Sequence, residues 1–190
     1  MKKIFSALLM TIFLLTSATA LAAYKETVPE GADLGAVKRL AIAWPQHYKV
    51  DDKEPTDEEY AQLLYNASKV ARCYVASYDE IAAQIKKDIG VDIKTLDRRE
   101  ARKVFEENVG KYVDAYFVAT TANNNRNTQF FYYIYKPGDN SLIYEYTSQV
   151  GMAGKTAKDY QRDAESFYKQ FDLTAIKVTK EAAKKARKNR

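Results

Sequence analysis

Residues 113–148 read VDAYFVATTANNNRNTQFFYYIYKPGDNSLIYEYTS. They contain three runs rich in aromatic and β-branched residues, at 113–121, 128–135 and 141–148. An Asn-rich segment separates the first two runs, and the tetrad Pro-Gly-Asp-Asn separates the last two. Runs of this kind between clusters of turn formers are typical of strands joined by hairpins. The stretch therefore predicts three consecutive antiparallel strands.

The segment before this stretch predicts strands that alternate with helices. Residues 37–44 (VKRLAIAW) and 73–78 (CYVASY) are short apolar runs of strand length. Capping residues open four helices along the chain, at Thr56, at Ser77 or Asp79, at Asp97 and at Thr156. The predicted order is β-α-β-α-α-β-β-β-α, an α/β (α+β) domain with one mixed sheet of about five strands and about four helices.

Length and composition exclude several classes of protein. The chain has 190 residues, of which 46% are hydrophobic, seven are Gly and four are Pro. A disordered, collagen-like or low-complexity chain would be less apolar or much richer in Gly and Pro. One Cys permits neither an internal disulfide nor a Cys-rich zinc site. We expect one domain over residues 23–176, with no cofactor and no metal site.

The first 22 residues predict an export signal. Lys2 and Lys3 precede a run over residues 4–15 that is almost entirely apolar. Small residues follow and lead to Ala-Leu-Ala, a pattern typical of a cleavage site. The apolar run is shorter than the roughly 18 residues that a membrane span requires. We expect cleavage between Ala22 and Ala23 and, because no Cys lies there to carry lipid, a periplasmic or secreted protein with no transmembrane segment.

Charge is distributed unevenly along the predicted exported chain. Of the 30 basic residues, two lie in the signal segment and seven in residues 177–190, which leaves 21 in the body against 24 of the 25 acidic residues. A mildly acidic, exported body argues against binding to nucleic acid. The C-terminal tail, 177–190, is either the solvated end of a helix or a contact for lipid headgroups or wall polymers of the envelope. Its candidate binding residues are Lys180, Lys184, Lys185, Arg187, Lys188 and Arg190.

Two local motifs carry a resemblance to a known group of domains. Tyr78-Asp79-Glu80-Ile81 joins a strand to a helix, and Val113-Asp114-Ala115 opens the strand that follows a helix ending near a Gly. Residues 72–121 resemble the corresponding part of extracytoplasmic domains of the TolB N-terminal and CsgG-like group, which includes outer-membrane activators of penicillin-binding proteins. The order of elements resembles that group over roughly residues 37–171. The resemblance implies an adaptor of the bacterial envelope, and some relatives imply self-assembly into a homo-oligomer.

No set of residues in the sequence predicts catalysis. The segment 151–156 (GMAGKT) lacks the first Gly of a phosphate-binding loop, so a capped turn is the preferred interpretation. His47 and Cys73 are single residues of their type, and only the fold could bring them together. We assign no catalytic residues. The leading hypothesis is a non-enzymatic module that contacts an envelope protein or an anionic surface.

Two alternatives remain open on the sequence alone. The first is a small-ligand binder or enzyme whose pocket lies at the strand ends near His47, Tyr78 and Asp79, because open α/β sheets commonly bind ligands there. The second concerns the fifteen Tyr residues. Their rows on neighbouring strands either form cross-strand pairs or present an aromatic platform for glycan or a protein partner.

Overall fold

Six strands form one mixed sheet in the computed structural model, which describes residues 24–50, 52–123, 127–151 and 156–188. The sheet order is β1-β6-β5-β4-β2-β3; β2 pairs in parallel with both β3 and β4, and the remaining pairs are antiparallel. This confirms the α+β class, the mixed sheet and the two hairpins. The strands are β1 (Tyr24–Thr27), β2 (Arg39–Ile42), β3 (Tyr74–Ala76), β4 (Ala115–Asn123), β5 (Asn127–Lys136) and β6 (Ser141–Gly151).

The predicted number of strands was one too low, because β1 was missed. This strand has only four residues, YKET, and most of them are exposed, so it carries little apolar signal. It is held at the edge of the sheet by Glu26. The Glu26 carboxylate accepts hydrogen bonds from the hydroxyl of Tyr144 at 3.1 Å and that of Thr174 at 2.7 Å, and from the Gln170 amide at 3.2 Å. The residues that make these contacts are far from Glu26 in the sequence, so no local pattern predicts them.

Four α-helices in the described residues match the predicted number. Thr56 and Glu59 form a reciprocal capping box at the first helix, and the side chains of Ser77 and Asp97 cap the second and third. Gly90 ends the second helix in the left-handed conformation, at φ 73°. The helices are α1 (Asp57–Ala67), α2 (Tyr78–Ile89), α3 (Arg98–Asn108) and α4 (Ala157–Lys188).

The two faces of the sheet are covered to different extents. Helices α1 and α4 pack on one side, which we call the closed face, and bury the larger core against it. Helices α2 and α3 pack over β2, β3 and β4 on the other side, the open face. Alternate side chains of β5 point to opposite faces. Phe130, Tyr132 and Ile134 are therefore fully buried on the closed face, whereas the intervening aromatic residues stay partly exposed on the open one.

The predicted C-terminal tail continues α4 without interruption as far as Lys188. Val178 still contacts the core of the closed face, and a Cβ atom on Gly35 would collide with the Thr179 hydroxyl. After this contact every residue of the helix is exposed, and we call residues 180–188 the basic arm. None of the helices in the described ranges is apolar over a length that could cross a membrane.

Three predicted features fall outside the described residues. The signal segment with its cleavage site between Ala22 and Ala23 precedes the first described residue. Arg190 lies beyond the last one, and residues 152–155 of the Gly-rich segment are likewise not described.

Candidate functional site

A cleft of about 830 Å³ opens at the carboxyl ends of the parallel strands. The connection that leaves β2 passes over the closed face as α1, and the connection that leaves β3 returns over the open face as α2 and α3 to reach β4. Connections that diverge to opposite faces leave a crevice beyond the strand ends, which is where open α/β sheets commonly bind ligands. The cleft lies in this position, between α1 and α3.

Aromatic side chains form much of the cleft wall. The ring of Trp44, just after β2, meets the ring of Tyr78 edge to face at 5.1 Å, and Phe105 of α3 stacks on Tyr78 at 5.8 Å. Tyr48 and Tyr65 are 69% and 40% exposed at the rim. The buried rings fix the shape of the wall, and the exposed rings are free to contact a ligand.

The charged side chains of the cleft are largely paired with one another. Four basic and four acidic residues line it. The ammonium of Lys94 lies 2.8 Å from the Asp79 carboxylate. The pairs supplied by α3 are Arg102 with Glu106 at 2.7 Å and Arg98 with Asp57 of α1 at 3.6 Å. The cleft thus combines hydrogen-bond donors and acceptors with no net formal charge.

The pKa shifts among the cleft residues all lead away from neutral pH. Burial raises the pKa of Tyr78 to about 12 and raises that of Tyr116 further. The hydrogen bond to Asp79 raises the pKa of Lys94, and the one to Glu106 raises the pKa of Arg102. General acid–base catalysis works best with a group whose pKa lies near the operating pH. None of these four shifts brings a cleft residue nearer to that range.

The structure separates the three residues predicted to share a pocket. Tyr78 and Asp79 line the cleft, whereas His47 lies on the closed face between the rings of Tyr60 and Tyr160, with centroids at 5.8 and 5.4 Å. His47 Nδ1 is 2.6 Å from the Thr121 hydroxyl, and burial lowers the pKa of the imidazole. His47 therefore anchors the loop after β2, whose neighbouring residues Gln46 and Tyr48 do line the cleft.

The single Cys lies apart from the cleft. Cys73 is partly buried and packs against the core of the closed face, where burial raises the pKa of its thiol to about 11. A thiol with a raised pKa is a poor nucleophile at neutral pH. Within the described ranges, no cluster of three or more His, Cys, Asp or Glu residues could hold a metal ion.

Several cleft residues were not predicted from the sequence. On α1, Asp57, Ala61 and Tyr65 recur every four residues, and so do Arg98, Arg102 and Glu106 on α3. Residues four apart share one side of a helix. A search for mixed aromatic and charged stripes on the outer sides of these helices could have found them, but their meeting across the strand ends depends on the fold.

The tyrosine rows divide between the two faces. Tyr132, Tyr144 and Tyr146 are buried beneath α4. Phe131, Tyr133 and Tyr135 form an aromatic ladder on the open face, with ring centroids 6.3 and 6.5 Å apart, and Tyr135 stacks on Tyr116 of the cleft wall at 5.5 Å. The rows on the closed face are packed in the core. The row on the open face is partly exposed, as an aromatic platform would require.

The candidate residues of the tail lie on the exposed end of α4. The only acidic residue of the basic arm is Glu181. The exposed cations described there are Lys180, Lys184, Lys185, Arg187 and Lys188.

No protein-family model and no curated protein matches the chain. Among solved structures, it is similar to the LpoB C-terminal domain from Escherichia coli, at 13% identity and a TM-score of 0.45, over 74% of this chain and 93% of that one. It is also similar to a PelC dodecamer from Paraburkholderia phytofirmans, at 8% identity and a TM-score of 0.44, over 77% and 91% of the two chains. Lipoprotein GNA1162 from Neisseria meningitidis gives 11% identity and a TM-score of 0.40, over 60% and 80%.

These similarities are similarities of backbone fold at low sequence identity. They assign no ligand, partner or assembly to this chain. The more specific resemblance to the TolB N-terminal and CsgG-like group stays a prediction.

Proposed function

We propose that this chain is an exported, non-enzymatic binding module of the bacterial cell envelope, and that its ligand occupies the cleft between α1 and α3. The observation that carries the proposal is the cleft itself, a large concave site with aromatic walls and convergent polar groups at the strand ends. The non-enzymatic part of the proposal is supported by the cleft residues whose pKa is shifted, since none of these shifts leads toward neutral pH.

Export is tested by determining the N-terminus of the protein recovered from cells. We expect the mature chain to begin at Ala23 and to leave the cytoplasm. A protein that keeps Met1 and stays in the cytoplasm would contradict the envelope location.

The cleft is tested by sedimenting purified protein with isolated bacterial envelopes. We expect Tyr48→Ala combined with Tyr65→Ala to lower the bound fraction at both low and high salt, because the two rings would bind through apolar surface that salt does not screen. Tyr24→Ala is the matched control: this side chain is 52% exposed and lies on β1, at the opposite edge of the sheet. Equal binding by the double variant and the control at high salt, where any attraction of the basic arm is screened, would exclude the cleft.

A second candidate function is attachment of the basic arm to an anionic surface. It is supported by five exposed cations on a helix that has already left the core. Near an anionic membrane each basic residue contributes about 1 kcal/mol, and salt screens this attraction. Attachment of this kind would retain the module in the envelope without a lipid anchor.

The arm is tested with Lys184→Gln, Lys185→Gln and Lys188→Gln combined, because Gln removes charge while it preserves helix propensity. Binding to vesicles that contain anionic phospholipid should weaken about tenfold or more and become less dependent on salt, because Lys180 and Arg187 remain. The matched control removes three exposed lysines elsewhere, at Lys69, Lys87 and Lys103. Binding to an isolated anionic wall polymer, measured in parallel, distinguishes a wall polymer from lipid headgroups as the anionic surface. Wild-type affinity of the arm variant in both assays would exclude the arm.

Self-association, the remaining prediction about partners, is tested by the native mass of the protein in solution.

A further inference from the structure

We infer that the ligand of the cleft is an uncharged, hydroxyl-rich chain, that is, a neutral glycan. This inference rests on the proposed binding function and adds the chemical class of the ligand. Three features of the described residues carry it: the exposed rings, the paired charges and the bonded backbone of the segment after β2, beyond whose strand end the cleft lies.

The rings supply surfaces suited to the carbon-bound hydrogens of a sugar. Trp44 is partly exposed and held in place by its edge-to-face contact with Tyr78, and the exposed rings of Tyr48 and Tyr65 line the same cleft. A sugar ring has apolar faces and polar edges. Aromatic residues with a polar group at one end match this arrangement, because the ring contacts the apolar face and the hydroxyl remains available for hydrogen bonds.

The paired charges favour a ligand without charge. Lys94 already bonds Asp79 and Arg102 already bonds Glu106, so an ionic ligand at either cation competes with a partner that is in place, and the cleft offers no net charge to attract it. A sugar hydroxyl donates and accepts at once. It can use the remaining lone pairs of the carboxylates and the remaining N–H groups of the cations without breaking either pair.

The backbone around the cleft is already bonded, which disfavours an extended peptide. Ala43 N donates to Phe117 O at 2.9 Å, Gln46 N donates to Ala119 O at 2.8 Å, and Thr121 N donates to Gln46 O at 3.1 Å. The segment after β2 therefore continues along β4. A peptide that adds to a sheet needs a row of free backbone groups along a strand edge, whereas the cleft lies beyond the strand ends.

The aromatic ladder extends the site for a ligand longer than the cleft. Tyr116, which lines the cleft, stacks on Tyr135, and the ladder continues through Tyr133 to Phe131. Phe131, Tyr133 and Tyr135 are partly exposed, because α2 and α3 pack over β2, β3 and β4 and leave this side of β5 less covered. Affinity should therefore increase with the length of the glycan, because additional sugar units reach the ladder.

Trp44 provides a direct readout, because it is the only Trp of the whole chain and it lines the cleft. We propose to titrate the protein with the hexasaccharide and the disaccharide of N-acetylglucosamine and with maltohexaose, exciting Trp selectively. Oligogalacturonate, cationic chitosan oligomers and an uncharged extended peptide complete the panel of probes. Each titration is run at low and at high salt.

We expect a saturable fluorescence change with at least one neutral hexasaccharide, little dependence on salt, and weaker binding of the shorter sugar. Tyr48→Ala and Tyr65→Ala should each raise Kd about 2- to 10-fold, whereas Tyr24→Ala should leave it unchanged. Far-ultraviolet circular dichroism of each variant verifies that it is folded.

Two results would overturn the inference, and they differ in what they imply for the proposed function. Saturation by the peptide or by a charged polymer, with no response to any neutral sugar, would refute the glycan and leave a binding cleft. No response to any probe, together with wild-type envelope binding by the double variant, would refute the glycan and the cleft together.

Discussion

The closed and open faces of the sheet are built from the same strands but differ in what covers them. On β5, Phe130 and Tyr132 face the closed side and are fully buried, while their neighbours Phe131 and Tyr133 face the open side and are partly exposed. The large rings of the closed face meet α4, with Phe167 stacked on Tyr132 at 4.3 Å. Aromatic content alone thus says little about the role of a strand, because one row stabilises the fold and the other remains available for a ligand.

The largest expected effect compares one aromatic ring from each face. Phe167→Ala should lower the free energy of unfolding by about 3–5 kcal/mol, because it leaves a cavity among packed rings. Phe131→Ala on the open face should cost about 1 kcal/mol or less, the size of a cross-strand contact. Urea unfolding followed by circular dichroism measures both. Equal losses would show that the two faces contribute equally to stability.

The next effect concerns a carboxyl group buried on the closed face. Asp163 accepts hydrogen bonds from Tyr132 at 2.8 Å and Ser148 at 2.6 Å, and burial raises its pKa to about 6 from 3.8. The native state therefore keeps this proton to a higher pH than the unfolded chain does. The resulting contribution to the free energy of unfolding is fully present below pH 3.8 and is lost as the pH rises through about 6.

Asp163→Asn should remove this pH dependence, which amounts to about 3 kcal/mol across the window. Unfolding in urea at a series of pH values measures it. Glu107→Gln, on the exposed surface of α3, is the control and should keep the wild-type profile. An unchanged profile in the Asp163 variant would exclude Asp163 as its source.

A smaller effect is expected where α4 leaves the closed face. Gly35→Ala should cost about 1–3 kcal/mol, because the added Cβ meets the Thr179 hydroxyl. Thr179→Ala in the same chain should restore most of that stability. Thermal unfolding of the wild type, the two single variants and the double variant gives a double-mutant cycle of unfolding free energies. Strictly additive effects would mean that the two residues do not interact.

The smallest effect on stability is expected for Tyr133 on the aromatic ladder. Tyr133→Ala should change the free energy of unfolding by about 0.5 kcal/mol or less, because its surroundings are only partly buried. The same variant should weaken binding of the neutral hexasaccharide without weakening binding of the disaccharide. Equal weakening for both lengths would place Tyr133 outside the extended site.

Local sequence patterns predicted most of the elements. The capping pairs at Thr56 and Asp97 and the left-handed Gly90 act within a few residues, so their helices could be predicted without the fold. β1 could not, because the hydrogen bonds that hold Glu26 come from residues more than a hundred positions away.

The candidate site divides in the same manner. Tyr78 and Asp79 could be predicted from their position at a strand end. Arg98 and Tyr65 could not, because they reach the cleft from helices that pack on opposite faces of the sheet. His47, which is adjacent in sequence to cleft residues, has its ring on the closed face.

The length of α4 sets how far the acidic body can stay from a negatively charged surface that the basic arm contacts. Nine helical residues after Thr179 span about 13 Å, since each adds 1.5 Å. At physiological ionic strength, electrostatic forces decay over about 8 Å. Lysines near the tip can therefore contact such a surface while the repulsion between the surface and the acidic body, more than one decay length away, is largely screened. A body held at this distance would leave the proposed ligand site in the cleft accessible while the basic arm is attached.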